Sequence, residues 1–321
     1  MTLLLRAAAA LLLLAAPAFA QTWPAKQVRI VVPFPAGGSA DILCRLVAEK
    51  FSAAWGQTVI TDNRAGAGGN VGVAALARAP ADGYTIGMTT ISTHGINPNL
   101  FGDRLPFKPM DDFEFIGLSS SQPNFLCIHP SIPATNLQEL IAYLKANPGK
   151  ENFGSSGIGT SIHLSAELFM QLTGTRMGHV PFRSSAALVQ ALITGEVKLS
   201  FDNFTSPFPH YKAGTIRGIG VTSATRAAIA PEIPPLNDTL PGFDITSWNG
   251  FLAPKGTPKE IVDRLEKTQM ELLRDPAVVK RFEEMGAAAI PSTGAQMRQK
   301  AVSEIAQFKT IIEKGDIKLQ N

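Results

Sequence analysis

Short β-branched runs alternate along this chain with longer stretches in which apolar residues recur at helical spacing. Val28, Ile30, Val31 and Val32 form the first run, as expected of a strand buried on both faces. Pro33 and Pro35 end it. From Ser39 to Trp55, the residues Ile42, Leu43, Leu46, Val47, Phe51 and Trp55 make one broad apolar stripe, closed by Gly56. Ser39 is a good N-cap for that helix. Thr58 to Thr61 predicts a strand, and the Gly-rich Arg64 to Gly72 leads into a helix through Arg78. Tyr84 to Thr90 predicts a strand ending at the polar loop Ser92-Thr93-His94. Asp112 to Ser119 and Asn124 to Ile128 are two further strand candidates.

A second series follows. Helices are predicted at Asn136–Ala146, Ile162–Leu172 and Ser184–Thr194. Strands are predicted at Asn152–Ser155, Gly178–Pro181, Lys198–Phe201 and Ile216–Val221. Pro231 to Pro241 reads as irregular. From Trp248 a strand and then helices run to Lys314, with Pro258 and Pro276 opening two of them. The alternation predicts an α/β protein of two lobes, each a mainly parallel sheet flanked by helices, with the C-terminal tract returning to the first lobe.

The first twenty residues change the setting. Arg6 and the amino terminus supply a positive region, Ala7 to Ala16 an apolar one, and Ala18-Phe19-Ala20 a small-residue cleavage site. The mature chain is expected to start at Gln21. The apolar stretch is short for a membrane anchor and is broken by Pro17. The net charge of +3 and a 17% charged fraction, without any Lys/Arg block, give no argument for nucleic acid. Cys44 and Cys127, far apart in sequence, read as two separately buried thiols.

Enzyme signatures are absent. Gly66-Ala67-Gly68-Gly69-Asn70-Val71 fails as a dinucleotide fingerprint because Val71 stands where the last Gly is needed. Gly154-Ser155-Ser156-Gly157-Ile158 fails as a nucleophile elbow for the same kind of reason. His94, His129, His163, His179 and His210 lack metal-ligand spacing. No cofactor is expected. What recurs is a strand feeding a Gly/Ser/Thr-rich loop feeding a helix, at Pro35–Ser39, Ser155–Ser161 and Arg183–Ser185. Each such loop offers hydroxyls and unpaired helix-start amides, which hold carboxylates without a formal charge partner. Ordinary capping is the bland reading of any one of them. Three of them, with the polar strand ends Thr90 and Asp202, predict a shared cleft at the carboxyl ends of the strands. Gly37 and Gly38 let the backbone approach an anion closely.

The strings WPAKQVRIVVPFPAGGSADILCRLVAEKF, VITDNRAGAGGNVGVAALARAPADGYTI, STHGINPNLF, SSGIGTSIHLSAELFMQLTG, HVPFRSSAALVQALITGEVKLSFDN and WNGFLAPKGTP resemble those of the tripartite tricarboxylate transporter substrate-binding proteins, the Bug family. The resemblance spans essentially the whole chain after the leader. It implies a type II periplasmic-binding fold, a small carboxylated ligand, and delivery to a membrane permease of one large and one small subunit. Lobe 1 would comprise residues 21–126 and 248–321, and lobe 2 residues 127–247. Carried over by matching motif, the ligand-binding residues of lobe 1 would be Phe34, Pro35, Ala36, Gly37, Gly38, Asp41, Thr90, Ser92, Thr93 and His94. Those of lobe 2 would be Ser155, Gly159, Thr160, His163, Ser184, Ser185 and Asp202. The chain departs from the family pattern at Ser92, Ser184 and Cys44, and two of these fall in pocket loops, so ligand identity does not carry over.

The resulting expectation is a monomeric, periplasmic solute-binding protein with no catalysis, closing on its ligand about hinges near Asn124–Pro130 and Asp244–Asn249. One rival keeps the fold but presents ligand to a membrane sensor kinase. Another is a periplasmic hydrolase using Ser155 or Ser161 with His163. Asp202 is expected to face the cleft as an orienting acceptor or a loop-ordering residue, the bland alternative being a cap for its own loop.

Overall fold

The computed structural model describes residues 23–319. The leader, its cleavage site and Gln21 lie outside the described residues. β1 (Val28–Val32) feeds α1 (Ser39–Trp55), and β2 (Val59–Asn63) feeds α2 (Asn70–Ala77). β3 (Thr85–Thr90) feeds a π-turn at Ser92–Ile96 and then α3 (Asn97–Phe101). Next come β4 (Phe113–Ile128), α4 (Leu137–Ala146), β5 (Asn152–Ser155), α5 (Ser161–Thr173), β6 (Gly178–Pro181) and α6 (Ser185–Thr194). They are followed by β7 (Leu199–Asn203), α7 (Phe208–Lys212), β8 (Arg217–Val221) and β9 (Thr246–Pro254). α8 (Lys259–Leu272), α9 (Pro276–Glu284), β10 (Ala288–Ala289) and α10 (Gly294–Lys314) complete the chain.

The strands form one curled sheet in the order β2-β1-β3-β9-β4-β7-β5-β6, with β8 and β10 also joined to β4. Pairing is parallel at both flanks, β2-β1-β3 and β7-β5-β6, where helices make the crossovers. It is antiparallel in the middle, where β9 and β4 run between the halves. β4 is a single 16-residue strand, not the two shorter strands that its pattern predicts. The polar, Pro-containing Ser120–Pro123 separates the two predicted strands, yet the backbone continues through it and only the partner changes. Residues 113–123 pair with β9, and residues 124–128 pair with β7 and β8.

The flanks obey their sequence patterns. In β1 only Arg29 is exposed, and it reaches Asp62 of β2 at 3.3 Å. α1 buries Leu43, Val47 and Phe51 and ends at Gly56, whose φ of 62° is the left-handed form that favours glycine. Phe51, Phe251, Leu265 and Phe282 pack together under that half of the sheet. Phe125, Leu188 and Phe204 do the same beneath α6. Between them, Phe169, Trp248 and Phe308 belong to one apolar cluster that joins α5, β9 and α10. α10 starts against β4, where Gly294 abuts the Phe115 carbonyl. It ends on α5, where Gln171 Nε2 donates to the Ile311 carbonyl at 3.4 Å. The C-terminal helix therefore lies along both halves. Cys44 and Cys127 are both buried and unpaired.

Candidate functional site

Three helix starts converge on one cleft. It is lined by Phe34, Pro35, Gly38, Ser39 and Ala40 at the start of α1, by Ser156, Thr160 and Ser161 at the start of α5, and by Ser184 and Ser185 at the start of α6. Thr90, Ser92, Asn203, Ser247 and Asn249 complete the wall. No charged side chain lines it. The cleft holds about 460 Å³ of atom-free space, mouth included. Its outer end adjoins a wider vestibule with about 970 Å³ of atom-free space, shared through Phe34, Pro35 and Ser156, in which Arg183 is the one charged lining residue among the described residues.

The two walls touch. Ser39 was read as the N-cap of α1, but Gly38 occupies the cap position and Ser39 is the first helical residue. This turns the Ser39 hydroxyl across the cleft, 2.8 Å from Ser206 Oγ and 3.4 Å from the Asn203 carbonyl, to which it donates. The Ser161 backbone N–H donates to Ser92 Oγ at 3.2 Å. A Cβ added at Gly38 would sit 3.7 Å from Ser185 Cβ, and one at Gly68 would strike the Ile158 carbonyl oxygen at 2.5 Å. At Gly68 the glycine permits the halves to approach, and its φ of 62° also favours glycine.

Of the residues read from sequence, Phe34, Pro35, Gly38, Thr90, Ser92, Thr160, Ser184 and Ser185 form the cleft surface. The others lie behind or beside it. Ala36 and Gly37 are exposed at the outer turn. The Gly37 N–H is taken by Asp41 Oδ2 at 2.9 Å. Asp41 also accepts from Arg45 Nε at 2.8 Å and Asn63 Nδ2 at 2.9 Å, and so braces the turn from inside. Burial works to raise its pKa, but those bonds and the Arg45 charge outweigh it and hold the carboxyl below its ordinary value. Thr93 and His94 are fully buried by the π-turn. The His94 ring packs among Phe107, Phe113 and Phe115, and its Nδ1 lies 2.6 Å from Thr89 Oγ1. Burial pushes its pKa down to about 3, so it is neutral.

On the other half, Ser155 Oγ lies 2.6 Å from His179 Nε2 and donates to the Gly157 carbonyl at 3.1 Å. Thr160 Oγ1 donates to the same carbonyl at 2.7 Å, which orders the loop. Gly159 packs on Asn97. His163 lies on the far side, where it stacks on His179 at 4.2 Å and lines a separate cavity with Glu167 and residues 315–318. Asp202 is only 1% exposed. Its Oδ1 accepts from Ser185 Oγ at 2.6 Å and from the Asn203 N–H at 2.7 Å. Burial raises its pKa to about 7, against the pull of those two bonds.

Sequence reasoning placed Ser39, Ser156 and Ser161 in the anion-holding loops without naming them as ligand residues, and it missed Asn203, Ser247 and Asn249. The last two had a signal. They flank Trp248 in a strand, so both fall on the face opposite that ring. Asn124, at the point where β4 changes partners, reads in sequence as the start of a strand and part of a hinge, not as a residue behind the cleft. It is fully buried, its Oδ1 accepts from Asn203 Nδ2 at 2.7 Å, and its Nδ2 donates to Ser165 Oγ at 2.9 Å.

The profile of the tripartite tricarboxylate transporter family receptor matches residues 43–317. Protein BugT of Bordetella pertussis is 32% identical over 308 residues, covering 96% of this chain and 94% of that protein. R. palustris Rpa4515, solved with adipate, superposes with a TM-score of 0.90 at 34% identity, covering 92% of this chain and 99% of that one. MatC (Rpa3494) from Rhodopseudomonas palustris, with bound malate, gives a TM-score of 0.85 at 28% identity, covering 90% and 100%.

Proposed function

The chain belongs to the tripartite tricarboxylate transporter receptor family, and from that premise we propose that it captures a small organic carboxylate between its two lobes. It then hands the ligand to a membrane permease of one large and one small subunit. Residues 21–126 and 248–321 make lobe 1, and residues 127–247 make lobe 2. The protein acts in the periplasm after cleavage at Ala20, as a monomer and without catalysis. Among the described residues no helix is long and apolar enough to cross a membrane.

One observation carries this reading: three helix starts meet in a cleft that has hydroxyls and amides but no charged side chain. Helix-start amides favour an anion by about 0.3–1 kcal/mol each at exposed sites, and by more when partly buried. Together they make a carboxylate site that needs no cation. The ligand favours closure by touching both walls, with Gly38 and Ser39 on one side and Thr160, Ser161 and Ser185 on the other. Relatives bound to adipate and malate make dicarboxylates the first probes.

The test is a thermal-shift and calorimetric screen of carboxylic acids, led by adipate and malate, with mass spectrometry of any small molecule that copurifies. A saturable shift with at least one carboxylate, and recovery of that compound unchanged, is expected. No response to any carboxylate, or conversion of the bound compound, overturns the reading.

A further inference from the structure

Asp202 sits directly behind the cleft wall. Its Oδ1 holds two residues of that wall, Ser185 and Asn203, at 2.6 and 2.7 Å. Its Oδ2 is buried with no hydrogen-bond partner. Two residues earlier on the same strand face, Ser200 Oγ is also buried without a partner. Among the described residues no cation faces this carboxyl. β4 brings Phe125 opposite it and the Cys127 thiol beside it. α7 brings Tyr211, whose hydroxyl donates to Glu232. α6 and β5 carry no titratable residue. Arg217 of β8 is turned to the carbonyls of Ile132 and Ala134.

We propose that capture of a ligand carboxylate in this cleft is coupled to proton uptake from solvent at Asp202, with the Ser185 hydroxyl relaying the change to the ligand. The inference rests on the solute-binding reading above. While Asp202 is ionised, the Ser185 proton is committed to Oδ1, and an unpaired negative charge lies behind the wall. Both oppose an incoming anion. Protonation at Oδ2, the oxygen without a partner, removes the charge and frees the Ser185 hydroxyl to donate into the cleft. No covalent bond other than that O–H changes. Burial holds this carboxyl near neutrality in the first place, at about 7, so the coupling operates around neutral pH. By linkage, the factor by which the proton raises ligand affinity is the factor by which the ligand raises proton affinity. Asp202 is thus a positioning residue, acting on the ligand through Ser185.

The experiment has two arms. Carboxyl ¹³C NMR, with Asp202 assigned by comparison with Asp202→Asn, should show titration near pH 7, moving up by about one unit in saturating adipate. Calorimetry with adipate should show affinity about fivefold weaker at pH 8.5 than at pH 6.5, with net proton uptake at pH 7 and a flat profile in Asp202→Asn. Ser185→Ala removes the relay and should flatten most of the profile even if the Asn variant folds poorly. Adipate affinity that does not change with pH in the wild type overturns the coupling. So does adipate binding with Asp202 titrating below pH 5. If no carboxylate binds, the solute-binding reading has failed and the coupling falls with it.

Discussion

Each wall of the cleft is backed by one buried aspartate, Asp41 in the first turn of α1 and Asp202 at the end of β7, and the two live in opposite conditions. Asp41 has three donors, one of them the Arg45 guanidinium, and is held ionised. Asp202 has two uncharged donors, one oxygen left over and no cation, and is held near its titration point. The same residue type, buried behind the same cleft, is a fixed brace on one side and a titrating group on the other. Partners decide this, because burial disfavours both charges and only Asp41 has the bonds to outweigh it.

The comparison is broken most directly by pH. The folded-state pKa of Asp202 lies above its ordinary value of 3.8, at about 7. The folded protein therefore holds that proton more tightly than the unfolded chain, and this contribution to stability is lost as pH rises from about 4 to about 7. The full change is about 4 kcal/mol. Urea unfolding of wild type and Asp202→Asn across that window should show the variant gaining on the wild type by an amount of that order. A constant difference would remove Asp202 from the titrating class. Asp41 has the opposite sign, since its lowered pKa gives stability that is present above the ordinary aspartate range and lost on acidification.

Asp41→Ala sharpens the contrast. It leaves the Gly37 N–H without its acceptor and the Asn63 amide with the Phe34 carbonyl alone, at an expected cost of about 2 kcal/mol in the unfolding free energy read from urea titration. The half-exposed Arg45 pairing adds little to that figure. Carboxylate binding should fall with it, because the turn before α1 loses its brace.

Gly38→Val tests the contact between the walls. Its Cβ would meet Ser185 Cβ at van der Waals distance, and the added methyl groups would hold the walls apart. Adipate affinity should drop by about a hundredfold, with the melting temperature of the ligand-free protein little changed. Undiminished affinity would mean that closure does not involve this contact. The smallest effect is expected at Ser39→Ala. It removes one hydroxyl that bridges to Ser206 and Asn203, and should weaken binding by about fivefold, near 1 kcal/mol.

Much of the architecture was legible. The β-branched run of β1, the helical stripe of α1 and the hydroxyl-rich loops before α5 and α6 are local patterns, and the chain folds as they predict. His94 shows where legibility ended. A polar Ser-Thr-His string after a strand reads as a surface loop, yet the π-turn packs it into the aromatic core. β4 shows the same limit, since Ser120–Pro123 interrupts the apolar pattern without interrupting the strand.

The sequence by itself determined the elements, the alternation that makes an α/β protein, and the loops able to hold an anion, because propensity, periodicity and capping act between residues a few positions apart. Tertiary structure alone decided which of those loops meet. The Ser39–Ser206 contact joins residues 167 positions apart, and Asn124 ties β4 to α5 and β7 at the crossing. It also decided which aspartate keeps its charge. Neither the helix start around Asp41 nor the strand end around Asp202 says which, because a carboxyl's proton affinity is set by the donors, charges and solvent that the fold assembles around it.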